Sequence, residues 1–187
     1  MEILQATMAD FEGILALLQA NHVNHIPEEE KKNGFVTTHF TREQMETLIV
    51  REKGVIIAKE NGIVYAFATA APWAFWATWP LFAHMITELP KFTFEGQTLT
   101  VQNSYQYGPV CVHKDFRGTG LFEQVFYASL ASMEARFPIM ATFINQINPR
   151  SYKAHTAKVP MTTAGTFQFN GNNYYLMACS TSLQPKK

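Results

Sequence analysis

Cysteine is scarce in this chain: Cys111 and Cys179 alone occur, each inside an apolar stretch of strand character. Neither has a CxxC partner or a Cys/His cluster nearby, so a zinc site and a disulfide framework are set aside and two buried free thiols are expected. Net charge is also missing, since fifteen Lys and Arg balance fifteen Asp and Glu. A nucleic-acid-binding protein needs a broad cationic field, so no nucleic-acid partner is expected and the ligand should be small. No apolar run reaches the roughly 18 residues of a membrane span. Met1-Glu-Ile-Leu has neither the basic start nor the apolar core of a secretory leader, and the expectation is a cytoplasmic protein with no membrane contact. No residue grouping suggests a metal.

What is present suffices for one core. With 187 residues and 47% hydrophobic content, the expectation is a single domain over 1–187, with an insert of uncertain structure at about 72–103. Thr7-Met-Ala-Asp10 and Thr41-Arg-Glu-Gln44 are capping-box patterns, each followed by apolar residues at helical spacing. Between them His22 to Phe40 is polar and broken by Pro27 and Gly34. Val55 to Lys59 and Ile63 to Ala71 flank Asn61-Gly62, a hairpin signal, and Thr166–Phe169 meets Tyr174–Thr181 across Asn170-Gly171. The insert, expected to be a short helix plus a hairpin, crowds Trp73, Phe75, Trp76, Trp79 and Phe82 ahead of two runs that flank a turn at Glu95-Gly96. These rings suit an acceptor pocket, a core beneath the insert, or the contact of a homodimer. Tyr105 to Val112 reads as a central strand interrupted by Gly108-Pro109, which predicts parting from the strand Ile139 to Ile147.

One segment carries chemistry. Val110-Cys-Val-His-Lys-Asp-Phe-Arg-Gly-Thr-Gly-Leu121 runs from a strand through a glycine turn into a helix that extends to about Phe137. Glycines at 118 and 120 permit left-handed dihedrals, and the free N–H groups at the helix start suit an anion such as pyrophosphate. No Gly-Lys-Ser/Thr follows and no GxGxxG is present, so neither a P-loop nor a dinucleotide fold is indicated. The run instead resembles the acetyl-CoA signature of the GNAT superfamily of N-acyltransferases, with Arg117, Gly118, Thr119 and Gly120 filling its Arg-Gly-x-Gly pattern. The order of predicted elements is also similar. The resemblance implies an α/β fold with a mixed, mostly antiparallel sheet of about seven strands, splayed at its centre and flanked by helices.

That resemblance further implies acetyl-CoA as co-substrate and direct attack by a small-molecule amine in a ternary complex. It assigns donor binding to Val110, Cys111, Val112, Arg117, Gly118, Thr119, Gly120, Leu121, Phe122, Asn148 and Ser151. Cys111 need not be a nucleophile, because the family transfers directly and an apolar strand thiol is inert. Asn148-Pro-Arg-Ser-Tyr-Lys-Ala-His155 resembles the family's last element, so His155, with Tyr152 next, is the expected acid for the leaving thiolate. Relatives continue Lys-Leu-Gly-Phe where this chain has Thr156-Ala-Lys-Val-Pro-Met161. For deprotonating the amine, His113, Tyr107 and Glu88 are the available groups. His22, His25 and His39 are expected to be solvated in their polar loop. Two other readings stay open: a CoA-binding regulatory or sensor domain without turnover, and an interaction module in which Arg117 to Gly120 is only a turn.

Overall fold

A computed structural model describes residues 1–185. In chain order its elements are β1 (Glu2–Gln5), α1 (Phe11–Ala20), α2 (Arg42–Glu46), β2 (Val55–Glu60), β3 (Ile63–Ala71), α3 (Trp73–Trp76) and α4 (Pro80–Glu88). There follow β4 (Thr93–Phe94), β5 (Gln97–Thr98), β6 (Ser104–Val112), α5 (Leu121–Met133), β7 (Ile139–Asn145), α6 (Pro149–Ala157), β8 (Thr162–Phe169) and β9 (Asn172–Ser180). Seven strands form one sheet in the order β1-β2-β3-β6-β7-β9-β8, and β4 pairs with β5 apart from it. The ladders β1–β2, β2–β3, β7–β9 and β8–β9 are antiparallel and β6–β7 is parallel, which is the mixed, mostly antiparallel sheet expected. The described chain forms two compact units, Met1–Ala70 with Gly108–Ser132, and Ala71–Tyr107 with Met133 onward.

In the first unit both capping boxes form. Thr7 donates from N and Oγ1 to Asp10 Oδ2 (2.9 and 3.0 Å), and Asp10 also pairs with Lys59. Thr41 Oγ1 accepts from Gln44 N (3.1 Å) while Gln44 Oε1 accepts from Thr41 N (2.8 Å). Past α2 the chain widens into a π turn, Thr47–Arg51, which buries Leu48 and Ile49. Asn61 and Gly62, with φ of 50° and 82°, make the predicted β2–β3 hairpin, because only residues tolerant of positive φ fit a turn whose twist matches the strands. Four consecutive buried residues, Val55 to Ala58, account for the unbroken apolar run of β2.

The second unit holds the insert, which contains two short helices and the β4–β5 hairpin where one helix and a hairpin were expected. Its core gathers Trp73, Met85, Leu89, Leu99, Ile139, Phe167 and Leu176, with Phe92 and Phe143 packed against them. β8 begins at Thr162, four residues before the predicted start, since a bulge near Gly165 absorbs the glycine. A Cβ at Gly165 would lie 2.4 Å from the Phe92 ring, so that ring is seated where only glycine fits. The chain stops being α-helical at Met133, before the predicted Phe137, because Arg136 and Phe137 both turn their N–H onto Met133 O ahead of Pro138. The ladder of β6 with β7 covers Ser104, Tyr105 and Gln106. After Tyr107 come Gly108 (φ 99°) and Pro109, which has no N–H to give a ladder.

Candidate active site

The glycine turn belongs to the first unit. His113 N donates to Tyr65 O (2.7 Å) as β6 ends, and one 3-10 turn, Lys114–Phe116, then redirects the chain. Thr119 Oγ1 donates to Phe116 O (2.7 Å) and closes the loop over that turn. Gly118 and Gly120 hold φ of 85° and 89°, values that ordinary side chains resist. A Cβ on either glycine would meet nothing within 4 Å, so the backbone is open on that side. α5 starts at Leu121, and the first N–H groups of a helix have no intrahelical acceptor. A bare backbone, open space and a helix N-terminus fit a phosphate group.

Arg117 is half-buried and reaches back into its own unit. Its Nε donates to Val112 O (3.3 Å) and its Nη2 to Asn21 Oδ1 (2.7 Å). Between half-buried Val110 and Val112, Cys111 is 3% exposed, and burial pushes its thiol well above the usual range, with the Arg117 charge opposing only in part. Such a thiol is inert. Phe122 is half-buried on the first turn of α5. His113 Nδ1 accepts from Asp115 N (3.4 Å), which turns that ring towards the 3-10 segment.

In the second unit, Asn148 caps α6 by accepting from Ser151 N on Oδ1 (3.2 Å). His155, 3% exposed, places Nδ1 2.7 Å from Ser151 O. A carbonyl only accepts, so Nδ1 carries the proton and Nε2 the lone pair. Burial lowers the His155 pKa to about 4, and the Ser151 bond opposes this without cancelling it. The imidazole is therefore neutral near pH 7, which does not suit the acid role expected from its spacing. Its ring meets Tyr107 edge-on with centroids 6.0 Å apart. Tyr152, the next acid considered, has its hydroxyl 3.1 Å from Thr163 Oγ1 and its ring 4.3 Å from that of Tyr175, so it packs on the β8–β9 hairpin. Glu88 is paired with Lys91 at 2.6 Å.

No protein-family model matches this sequence, and no curated protein sequence matches it. Solved structures do. A ribosomal-protein-alanine N-acetyltransferase from Brucella melitensis is 19% identical with a TM-score of 0.62, over 96% of this chain and 99% of that one. A protein from Salmonella typhimurium, solved with acetyl-CoA as its cofactor, is 14% identical with a TM-score of 0.63, over 100% and 97%. An aminoglycoside 6'-N-acetyltransferase solved with coenzyme A is 10% identical with a TM-score of 0.64, over both whole chains. This chain has the GNAT fold.

Within that GNAT fold the remaining candidates take structural places. Phe75, Trp76, Trp79 and Phe82 already touch, with centroids 4.8–5.6 Å apart for Phe75–Trp76, Phe75–Trp79, Trp76–Trp79 and Trp76–Phe82. The four rings pack on one another, with Trp76 and Phe82 buried and Phe75 and Trp79 half-buried. The histidines are not solvated as a group: His22 is 2% exposed and its ring lies 3.8 Å from that of His39. They gather because the loop folds back, with Val36 N donating to Asn21 O (3.0 Å) and Val23 N to Val36 O (2.9 Å). Among the described residues no group of His, Cys, Asp and Glu is arranged to hold a metal, and no helix is long and apolar enough to cross a membrane. Asn21 escaped the sequence reading, since its partner Arg117 is 96 positions away and no local pattern marks the pair.

Proposed function

We propose that the protein is an acetyl-CoA-dependent N-acetyltransferase acting on the amine of a small molecule by direct attack. The observation that carries this reading is the Arg117–Leu121 turn, with two left-handed glycines opening onto the N-terminus of α5, in a chain of GNAT fold. The turn and the first N–H groups of α5, from Gly118 to Phe122, would hold the pyrophosphate, and the backbone of Val110 to Val112 would align the arm that follows it. When bound, acetyl-CoA supplies an acyl group on a thiolate that leaves readily, a thiol of pKa near ~8.5 needing little protonation help. The new bond joins the amine nitrogen to the acetyl carbon, the carbon–sulfur bond breaks, and the proton lost by the ammonium leaves through water to solvent or to the thiolate.

His155 then works as a neutral, buried hydrogen-bonding residue of α6, and rate enhancement comes from holding donor and acceptor in place. The test is a panel of amino acids, polyamines, aminoglycosides and peptide N-termini incubated with acetyl-CoA. Released thiol is followed by a thiol reagent, which the buried Cys111 and Cys179 do not disturb in the folded protein. Mass spectrometry identifies the acetylated amine. Acetylation of one class over the others supports the proposal. Acetyl-CoA binding without any product supports the regulatory reading, and no binding at all overturns both.

A further inference from the structure

Hydrogen bonds of the Arg117 guanidinium join three parts of the first unit. Its Nε donates to Val112 O at the end of β6, and its Nη2 donates to Asn21 Oδ1 at 2.7 Å. Asn21 ends α1, its N–H accepted by Leu18 O at 3.1 Å, and the residue is only 8% exposed. Its other amide atom, Nδ2, donates to Leu17 O at 2.8 Å. Both neighbours agree on the amide's orientation, because a carbonyl can only accept and a guanidinium can only donate. Asn21 O in turn accepts from Val36 N, which seats the returning loop on the same residue. The buried side chain of Asn21 thus ties the end of α1 to the glycine turn through a charge-assisted bond, while its backbone carbonyl holds the loop before α2.

We infer that Asn21 is a positioning residue for donor binding, acting through Arg117 on the turn that holds the phosphates. The inference rests on the proposed acetyl-CoA site. Arg117 fixes the start of a turn whose glycines are otherwise free to wander, and Asn21 fixes Arg117. Without the Asn21 amide, the turn must be ordered at the moment of binding, and that cost appears in donor affinity.

The test is a double-mutant cycle read by calorimetry with acetyl-CoA, on Asn21→Ala, Arg117→Ala and both together, with folding checked by circular dichroism. Asn21→Ala is expected to raise Kd about tenfold in the native background and to have almost no effect once Arg117 is alanine. With any amine that turns over, KM for acetyl-CoA should rise by the same factor while kcat is held. A purely structural role through Leu17 would lower affinity equally in both backgrounds, and that additivity overturns the inference. So does unchanged affinity in a folded Asn21→Ala protein. Asn21→Ser is run in parallel, so that a folding failure of the alanine variant still leaves a measured cycle. If the native protein itself does not bind acetyl-CoA, the donor site is wrong and this inference falls with it; if it binds and the cycle is additive, the inference alone falls.

Discussion

At Gly120 the backbone φ of 89° and the empty space beside it make separate demands. The dihedral disfavours any branched side chain, costing about 1–2 kcal/mol of stability, while the space is where a phosphate would lie. Gly120→Val should therefore lose that stability and also weaken acetyl-CoA by at least about tenfold, a loss of roughly 1.4 kcal/mol. Calorimetry beside urea titration separates the effects, and native affinity in a folded variant removes the turn from the donor site. His155 yields a pH prediction. Its folded pKa of about 4 lies below the ordinary 6.5, so between those values the unfolded chain takes the proton and the folded one does not. Stability is full above pH 6.5 and falls as pH drops towards 4, by about 2 kcal/mol at pH 5. His155→Gln should flatten that slope in denaturant titrations at pH 7.5 and 5, while kcat stays within about threefold, far below the loss expected for an acid–base group. Part of the slope should survive, because burial and the charges of His39 and His25 lower His22 in the same direction. An unaltered slope would mean that His155 is not held neutral by its surroundings.

Elements whose signals are local were legible, and those set by distant contacts were not. Thr7, Thr41 and Asn148 announce helix starts because each cap reaches only three residues ahead, to Asp10, Gln44 and Ser151. Asn61-Gly62 and Asn170-Gly171 announce hairpins because their positive φ values are written into the residue types. The π turn at Thr47–Arg51 and the early start of β8 depend on what Leu48, Ile49 and Gly165 pack against, which no window of sequence contains. For α6 the local signal has a measurable size. Asn148→Ala removes the acceptor for Ser151 N and should destabilise the protein by about 1 kcal/mol, whereas Asn148→Asp keeps an acceptor there and should cost less than half of that. Equal losses in thermal denaturation would show that Asn148 matters through its burial and not through its cap.

Over the whole molecule, the element order read from the sequence led to the GNAT fold, but the candidate site residues divided by how their environment is made. The left-handed turn at Gly118 and Gly120 was identifiable because positive φ is a backbone property that the residue type announces. The protonation state of His155 and the bond from Asn21 to Arg117 were not, because burial and a partner 96 positions away are products of the folded chain. The mutual contacts among the rings of the insert likewise needed coordinates to be seen. If the donor site is built mainly on the glycine turn, the ligand's grip should follow its pyrophosphate and not its acyl group. A ligand that binds only the folded state at a hundred times its dissociation constant adds about 2.7 kcal/mol, which for a chain of this length is a rise of about 5–10 °C in Tm. Acetyl-CoA and CoA should both reach that range and differ by no more than about 2 °C, since they share every group the turn can hold. Pantetheine, which has the arm without the phosphates, should give almost no shift at the same concentration. A scan in which pantetheine matches acetyl-CoA would place the grip along Val110 to Val112 instead, and Gly120 would then be a turn glycine with no part in binding.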